Sequence, residues 1–314
     1  MGDLSLAVDI GGTKMAAGLV DRDGRLQSTA VVPTPPGADA AALWAALSGL
    51  VGGVLHRAPG TGAPVVCGVG CGGPMDAEGV SPLNIPGWRR YPLRQQLAGL
   101  TGLPTFVDND AKALALGEGW VGAARGRADY VAMVVSTGVG GGIVLDGRLL
   151  DGRLGNAGHI GHVVVEPDGR RCACGGRGCL EAEASGTAIA AVTGRPPAEA
   201  PPEVVARTGT LVGRAVASVA TLLDLDLAVV AGSVALGFGA PFFAAAAREV
   251  RERAAMPFSA GTVVEPAGLG GDGPLVGAAA VGWRGLDGAV PKAPVGAVPK
   301  AGTGPMAPVA GGGR

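Results

Sequence analysis

LSLAVDIGGTKMAAGLV, residues 4–20, reads as strand, glycine turn, strand. Leu4–Ile10 is an apolar run with one acid near its end; Gly11, Gly12 and Thr13 break the run, and residues 15–20 resume it. A turn without bulky side chains lets backbone N–H groups come close to an oligophosphate. Asp9 stands at the strand end, where a carboxylate can hold Mg2+ through water. Asp9, Gly11, Gly12, Thr13 and Lys14 therefore form a first candidate set for nucleotide phosphates. This is not a Walker A loop, because no G-x4-G-K-[ST] occurs.

Outward from this stretch the theme alternates and then restarts. Residues 40–55 have helical spacing, 64–70 read as a buried strand, 104–107 as a short strand and 111–120 as a helix. A second strand–turn–strand follows: 130–136, then the turn 137–142, then 143–146. Its sequence STGVGGG, residues 136–142, echoes DIGGT at 9–13, and two such turns in corresponding halves point their amides into a shared cleft. Thr137 and Gly138 join the candidate phosphate set, and the Thr13 and Thr137 hydroxyls are suited to phosphate oxygens. Helices are expected over 186–192, 203–223 and 277–282, with a strand at Leu227–Ala231 and a turn at Gly232 and Ser233.

Between the halves lies VDNDAKALALGE, residues 107–118. Asp110 falls where an apolar strand meets a helix start. Without context such a carboxylate is an ordinary N-cap. Flanked by a nucleotide cleft, it can accept a proton from a hydroxyl attacking the γ-phosphate. Asn84, Asn109, Asp110, His162 and Glu181 make a set of short polar groups suited to a polyhydroxylated ligand. Trp88, on the loop after Asn84, reads as a packing residue rather than a sugar platform.

GHIGHVVVEPDGRRCACGGRGCLEAEASG, residues 158–186, holds three of the five cysteines and two of the three histidines. One His followed by C-x-C-x4-C offers four ligands, enough for a closed tetrahedral zinc site. Cys172, Cys174 and Cys179 supply the sulfurs; spacing alone leaves open whether His159 or His162 completes the set. A closed site has no position for substrate, so the metal is expected to brace the loop that carries His159, His162 and Glu181.

Composition narrows the class. The chain has 314 residues, 47% hydrophobic and 16% charged, which suits a packed globular protein of two domains. A net charge of -1 gives no global reason to expect nucleic acid or an anionic membrane. Residues 227–247 carry no charge and are long enough to span a bilayer. Gly232, Ser233, Gly237, Gly239 and Pro241 break them into strand, turn and Ala-rich helix. Free thiols and the lack of an export signal favour the cytoplasm. The expected organisation is an N-terminal α/β domain (1–118), a C-terminal α/β domain (119–285) and a disordered Pro/Gly/Ala-rich tail (286–314).

DIGGTK, GVGCGGPMD at 68–76, NIPGW at 84–88, VDNDAKALALGE, STGVGGG, GHIGH with CACGGRGCLE, and VVAGSV at 229–234 together resemble the ROK family of sugar kinases, within the actin/hexokinase-like ATPase fold. The resemblance covers roughly residues 4–283. It implies that Asp110 is the catalytic base and that His162, Cys172, Cys174 and Cys179 bind structural zinc. It also implies that Asn84, Asn109, Asp110, His162 and Glu181 surround a sugar, and that Gly232 and Ser233 lie near the adenosine of ATP. The family's glucokinases read E-x-G-H where this chain has His159-Ile160-Gly161-His162; its N-acetylmannosamine kinases share G-H-I-G-H. A carboxylate only accepts hydrogen bonds, whereas a neutral imidazole both donates and accepts. His159 therefore tilts the expected substrate from glucose towards an amino or acylamino hexose, such as N-acetylmannosamine or kanosamine. The expected activity is ATP- and Mg2+-dependent phosphorylation of the C6 hydroxyl by a homodimer or tetramer. The rivals are a sugar-responsive regulator of the same family and a non-catalytic sugar sensor. The early start of the first strand leaves no room for a helix-turn-helix ahead of it.

Overall fold

The computed structural model describes residues 2–57 and 62–288. Two five-stranded mixed sheets are built on one plan. In the first, β1 (Leu4–Ile10) pairs antiparallel with β2 (Lys14–Asp21), and β2 with the edge strand β3 (Leu26–Pro33). On its other side β1 runs parallel to β4 (Pro64–Cys71), which runs parallel to β5 (Thr105–Asn109). The second sheet repeats this. β6 (Tyr130–Val135) pairs antiparallel with β7 (Val139–Leu145), which pairs with the short β8 (Arg148–Leu149). β6 also runs parallel to β9 (Leu227–Ala231), and β9 to β10 (Val263–Pro266). This is the α/β, actin/hexokinase-like arrangement that the motifs anticipate.

The central strands are apolar nearly throughout because helices cover both faces. On β1, Leu4, Leu6, Val8 and Ile10 join the core formed with α1 (Ala40–His56). The opposite face carries the small residues Ser5 and Ala7, matched by Gly68 on β4, so that a helix can lie close. That helix is α9 (Gly273–Asp287); a methyl at Gly68 would overlap the Ala278 carbonyl. On the second sheet the inner helix is α3 (Asp110–Val121), and α6 (Pro202–Leu223) and α8 (Ala240–Arg253) cover the outside.

α3 and α9 pack on one another between the two sheets. A Cβ on Gly277 would sit 2.5 Å from the Ala113 carbonyl, and one on Gly117 3.0 Å from the Gly277 Cα. The expected cut at residue 118 thus falls inside α3, and α9, beyond that cut, packs on β1, β4 and β5 of the first sheet. Leu286 and Asp287, assigned above to the tail, belong to the last turn of α9. The tail from 289 onward lies outside the described residues.

Several elements escape the periodicity, among them β3, α2 (Leu93–Thr101) and β10. β3 is an exposed edge with polar Gln27, Ser28 and Thr29, and α2 buries only Leu93 and Leu97. The second turn is also shorter than expected, because Gly140, Gly141 and Gly142 lie in β7. Gly140 and Gly142 are small because α3 rests on them, whereas Gly141 faces Gly158 and Ile160 on the other side. A Cβ on Gly140 would come 2.9 Å from Ala111 Cβ, and one on Gly142 2.7 Å from Ala115 Cβ. Residues 227–247 resolve into β9, the short α7 (Ser233–Phe238) and the start of α8. Among the described residues no helix is long and apolar enough to cross a membrane.

Candidate functional site

A cleft of about 270 Å³ opens between the two sheets. Its walls bring together Asp9, Gly11, Gly12, Thr13 and Lys14 from the first turn and Thr137 and Gly138 from the second. Asn84, Asn109, Asp110, His159, His162 and Glu181, all expected from sequence, line it as well. The Gly11 amide donates to the Lys14 carbonyl (3.0 Å), and Thr34 braces the same turn by donating its hydroxyl to the Gly11 carbonyl (2.7 Å). Among the described residues the Gly12 and Thr13 amides have no backbone acceptor, and neither do those of Thr137 and Gly138. Amides left without a backbone partner at a cleft are suited to an anion.

β5 passes into α3 without a loop, which puts Asp110 at the first helical position. The capping residue is Asn109: its side-chain oxygen accepts from the Ala111 and Lys112 amides at 3.0 and 3.4 Å. Asn109 is thus the capping residue, while Asp110 Oδ1 shares the Ala111 amide at 2.8 Å. Asp110 opens onto the cleft while protein crowds its other sides. Desolvation raises its carboxyl pKa, against the opposing pull of the Ala111 amide. Asp9 lies beside it. Burial, and then the charge of Asp110, push Asp9 up to about 7, with Lys14 pulling the other way. Two neighbouring carboxylates held above their usual range make a site short of positive charge.

Opposite lies the metal loop. His162, Cys172, Cys174 and Cys179 bring one ligand atom each within 4.8 Å of the others. The Cys174 and Cys179 sulfurs are 3.7 Å apart, and Cys172 Sγ is 3.7 Å from His162 Nδ1. A tetrahedral ion with Zn–S of about 2.3 Å requires a sulfur separation of about 3.8 Å, so the cluster fits zinc. His162, not His159, is the fourth member. Desolvation lifts the Cys179 thiol to about 12, whereas the Gly176 amide draws Cys174 down. Gly178 adopts φ +70° where any side chain would strike the Glu166 carbonyl, which explains one glycine of the knuckle.

The knuckle runs straight into the site. Cys179 is the N-cap of α4 (Leu180–Ala184), so a ligand position lies two residues before Glu181. Glu181 Oε2 accepts from the Val139 amide at 2.8 Å, tying the metal loop to the second turn. His162 turns Nδ1 towards Cys172 and also lines the cleft, while His159 donates Nδ1–H to the Asn156 carbonyl (2.8 Å). A carbonyl can only accept, so in the neutral form of the His159 ring the proton sits on Nδ1 and Nε2, beside Gly73, is the acceptor.

Gly232 and Ser233 sit beside the second turn rather than in the cleft wall, with Ser233 Oγ 3.0 Å from Ser136 Oγ. Trp88 is fully buried and stacks on Tyr91 at 4.5 Å, which makes it core. Sequence reasoning missed Ser136 and Gly73 as cleft residues. The GGP of residues 72–74 was the available signal for Gly73.

The model of the ROK family matches residues 5–283. The chain is 43% identical over 190 residues to a glucokinase of Thermotoga maritima, covering 59% of this chain and 58% of that one. It is 40% identical to an N-acetylmannosamine kinase of Citrobacter koseri, covering 75% of this chain and 85% of the relative. A crystal structure of a ROK family glucokinase from Streptomyces griseus, in complex with glucose and AMPPNP, superposes with a TM-score of 0.78 at 32% identity, covering 90% of this chain and 99% of that one. With the match running from the first strand into the last helix, this chain belongs to the ROK family.

Proposed function

We propose that the protein is an ATP-dependent hexose kinase that phosphorylates the C6 hydroxyl of its sugar. The observation that carries this reading is the position of Asp110: at the first turn of α3, with one carboxylate oxygen on the Ala111 amide, it opens onto a cleft bounded by two turns with unpaired amides. Asp110 would orient the C6 hydroxyl and accept its proton. Phosphoryl transfer has a loose transition state, so orientation and charge stabilisation matter more than base strength. The amides of Gly12, Thr13, Thr137 and Gly138 and the Lys14 ammonium would hold phosphate oxygens. Gly232 and Ser233, next to the second turn, would face the adenosine.

Asp9 fits Mg2+, since it is an acid short of countercharge at the floor of the cleft. The ion, when bound, would neutralise phosphate charge. Zinc at His162 and the three cysteines would be structural, fixing Glu181 and His162 towards the sugar. Asn84 lies over the first turn; a Cβ on Gly12 would come 2.7 Å from its Cβ. With Asn109, it would close the sugar subsite. A cytoplasmic homo-oligomer is part of the same reading.

His159 sharpens the choice of sugar. With Nδ1–H spent on Asn156, its neutral ring presents only an acceptor, as a carboxylate does, but without charge. A hydroxyl or an amide N–H complements it; an ammonium gains less than it would from Glu. The reading therefore favours an N-acyl hexose such as N-acetylmannosamine, or a neutral hexose, over a free amino sugar such as kanosamine. The intact Asp9, Asp110 and both turns favour catalysis over a regulator or sensor.

The test is coupled ADP release from Mg-ATP with glucose, mannose, N-acetylmannosamine, N-acetylglucosamine, glucosamine and kanosamine, with the product position read by NMR. The expected result is a C6 phosphate on an uncharged sugar. Sugar binding without transfer to any hexose would support the sensor instead.

A further inference from the structure

One charged cluster lies outside the chemistry described above. Lys112, on α3 two residues after Asp110, is 1% exposed. Its ammonium meets three acceptors: Asp108 at 3.0 Å, Asp151 at 2.9 Å and the Gly155 carbonyl at 3.0 Å. Three acceptors match its three N–H groups, which makes so deep a lysine tolerable. Arg284, on α9, closes the ring by bonding Asp151 at 2.6 Å and Asp108 at 3.5 Å. Burial works against the charge on Asp151, yet the bonds from Arg284 and Lys112 hold its carboxyl below the usual range.

The ring joins four segments: the end of β5, the start of α3, the end of α9 and the loop 150–159. That loop is poorly suited to hold itself. Gly152, Gly155 and Gly158 all have positive φ, and its internal bonds are few. Its outside anchors are the Leu150 amide on the Ile143 carbonyl (2.8 Å) at its start, the close approach of Gly158 to Gly141 at its end, and between them the ring and Asn156, which donates from its side chain to the Met75 carbonyl (3.3 Å). Asn156 is also the residue whose carbonyl orients His159. Asp108 and Lys112 bracket Asp110 in sequence, so one cluster touches both the helix start bearing Asp110 and the loop bearing His159.

We infer that Asp108, Lys112, Asp151 and Arg284 form an ionic latch that fixes the His159 loop against the α3 start, and thereby positions His159 for sugar recognition. The kinetic part of this inference rests on the kinase reading above. These four are positioning residues; none lines the cleft. The latch would act on the sugar and leave the nucleotide alone.

The experiment compares wild type, Asp151→Asn, His159→Gln and the double variant, with Arg284→Met as a second way to open the ring should Asp151→Asn fold poorly. Opening the latch should raise the sugar KM about tenfold, with kcat and the ATP KM changed less than about threefold. In the His159→Gln background the same change should raise KM less than about twofold, because a residue that acts through His159 has nothing left to position. Hydrogen exchange should speed up in 150–159 on opening the ring. Equal KM effects in both backgrounds, or unchanged exchange in that loop, would overturn the latch. Exchange needs no turnover, so it decides the latch even if no hexose proves to be a substrate, an outcome that would sink the kinase reading alone.

Discussion

The two sheets share one strand order, yet their turns are furnished differently. Taking the last paired residues as equivalent, Ile10 with Met15 and Val135 with Val139, the first turn is one residue longer. In the same register Asp9 corresponds to Val134, so only the first half puts an acid at the strand end. The second half instead has its Val139 amide bound by Glu181, a residue delivered by the metal loop. The shared topology supplies two amide-lined turns; the differences leave an acid on the first turn and, on the second, a carboxylate delivered by the loop of the His/Cys cluster. Even the packing glycines follow this split. Gly18 and Gly142 are equivalent, but a Cβ on Gly18 would meet β3 and α9, whereas one on Gly142 would meet α3, the helix that carries Asp110.

Removing the brace from the second half should break the comparison most severely. Cys174→Ser, or chelation of the wild type, should release about one zinc per chain and reduce sugar turnover by about tenfold or more, since ligation and local folding are coupled. Metal analysis beside an activity assay checks this; a metal-free protein with full activity would remove zinc from the account. Next in size is the helix seat. Gly142→Ala should cost about 1–3 kcal/mol, because the new methyl forces α3 away from β7. Denaturant midpoints measure it, and an unchanged midpoint would show that the close approach is not tight.

Asp9 offers a pH-dependent test. Its carboxyl is raised to about 7 in the fold, so between about pH 4 and 7 the folded state holds a proton that the unfolded chain has released. The contribution of Asp9 to stability therefore declines as pH rises through that window, by up to about 1.4 kcal/mol per unit. Asp9→Asn should flatten this part of the metal-free stability profile, as read by thermal melts; an unaltered slope would argue that Asp9 titrates normally. Smallest is His159→Glu, which adds a charge without adding a donor. It should shift the preference between a neutral and an ammonium-bearing hexose by about tenfold towards the latter, as read from kcat/KM ratios. No shift would mean that His159 does not face the discriminating position.

Much of this site was legible in the sequence because its signals are local. Glycine turns between apolar runs, a polar pair at a strand–helix junction and closely spaced ligands each announce themselves within a dozen residues. The choice of His162 over His159 could not be read from spacing, since both precede the cysteines at compatible distances; the motif resemblance pointed to His162, and it is His162 whose ring nitrogen joins the three sulfurs. The glycines of β7 read as turn because sequence alone cannot separate a glycine needed for φ from one needed for a close helix. The path of α9 back to the first sheet, and the ring of Lys112, Asp151 and Arg284, depend on contacts between residues far apart in the chain, which no local pattern records. β3 and α2 were missed because each buries too little to leave a periodic trace.

The account turns on Asp110, and replacing its carboxylate with an amide of the same shape tests it most directly. Steady-state ADP release and calorimetric sugar binding should be measured on wild type and Asp110→Asn with the preferred hexose. The account predicts a loss of kcat of about 10²–10⁴-fold with sugar affinity kept within a few-fold, because the amide can still orient the hydroxyl but cannot take its proton. Near-wild-type turnover, or sugar binding lost in step with activity, would contradict it.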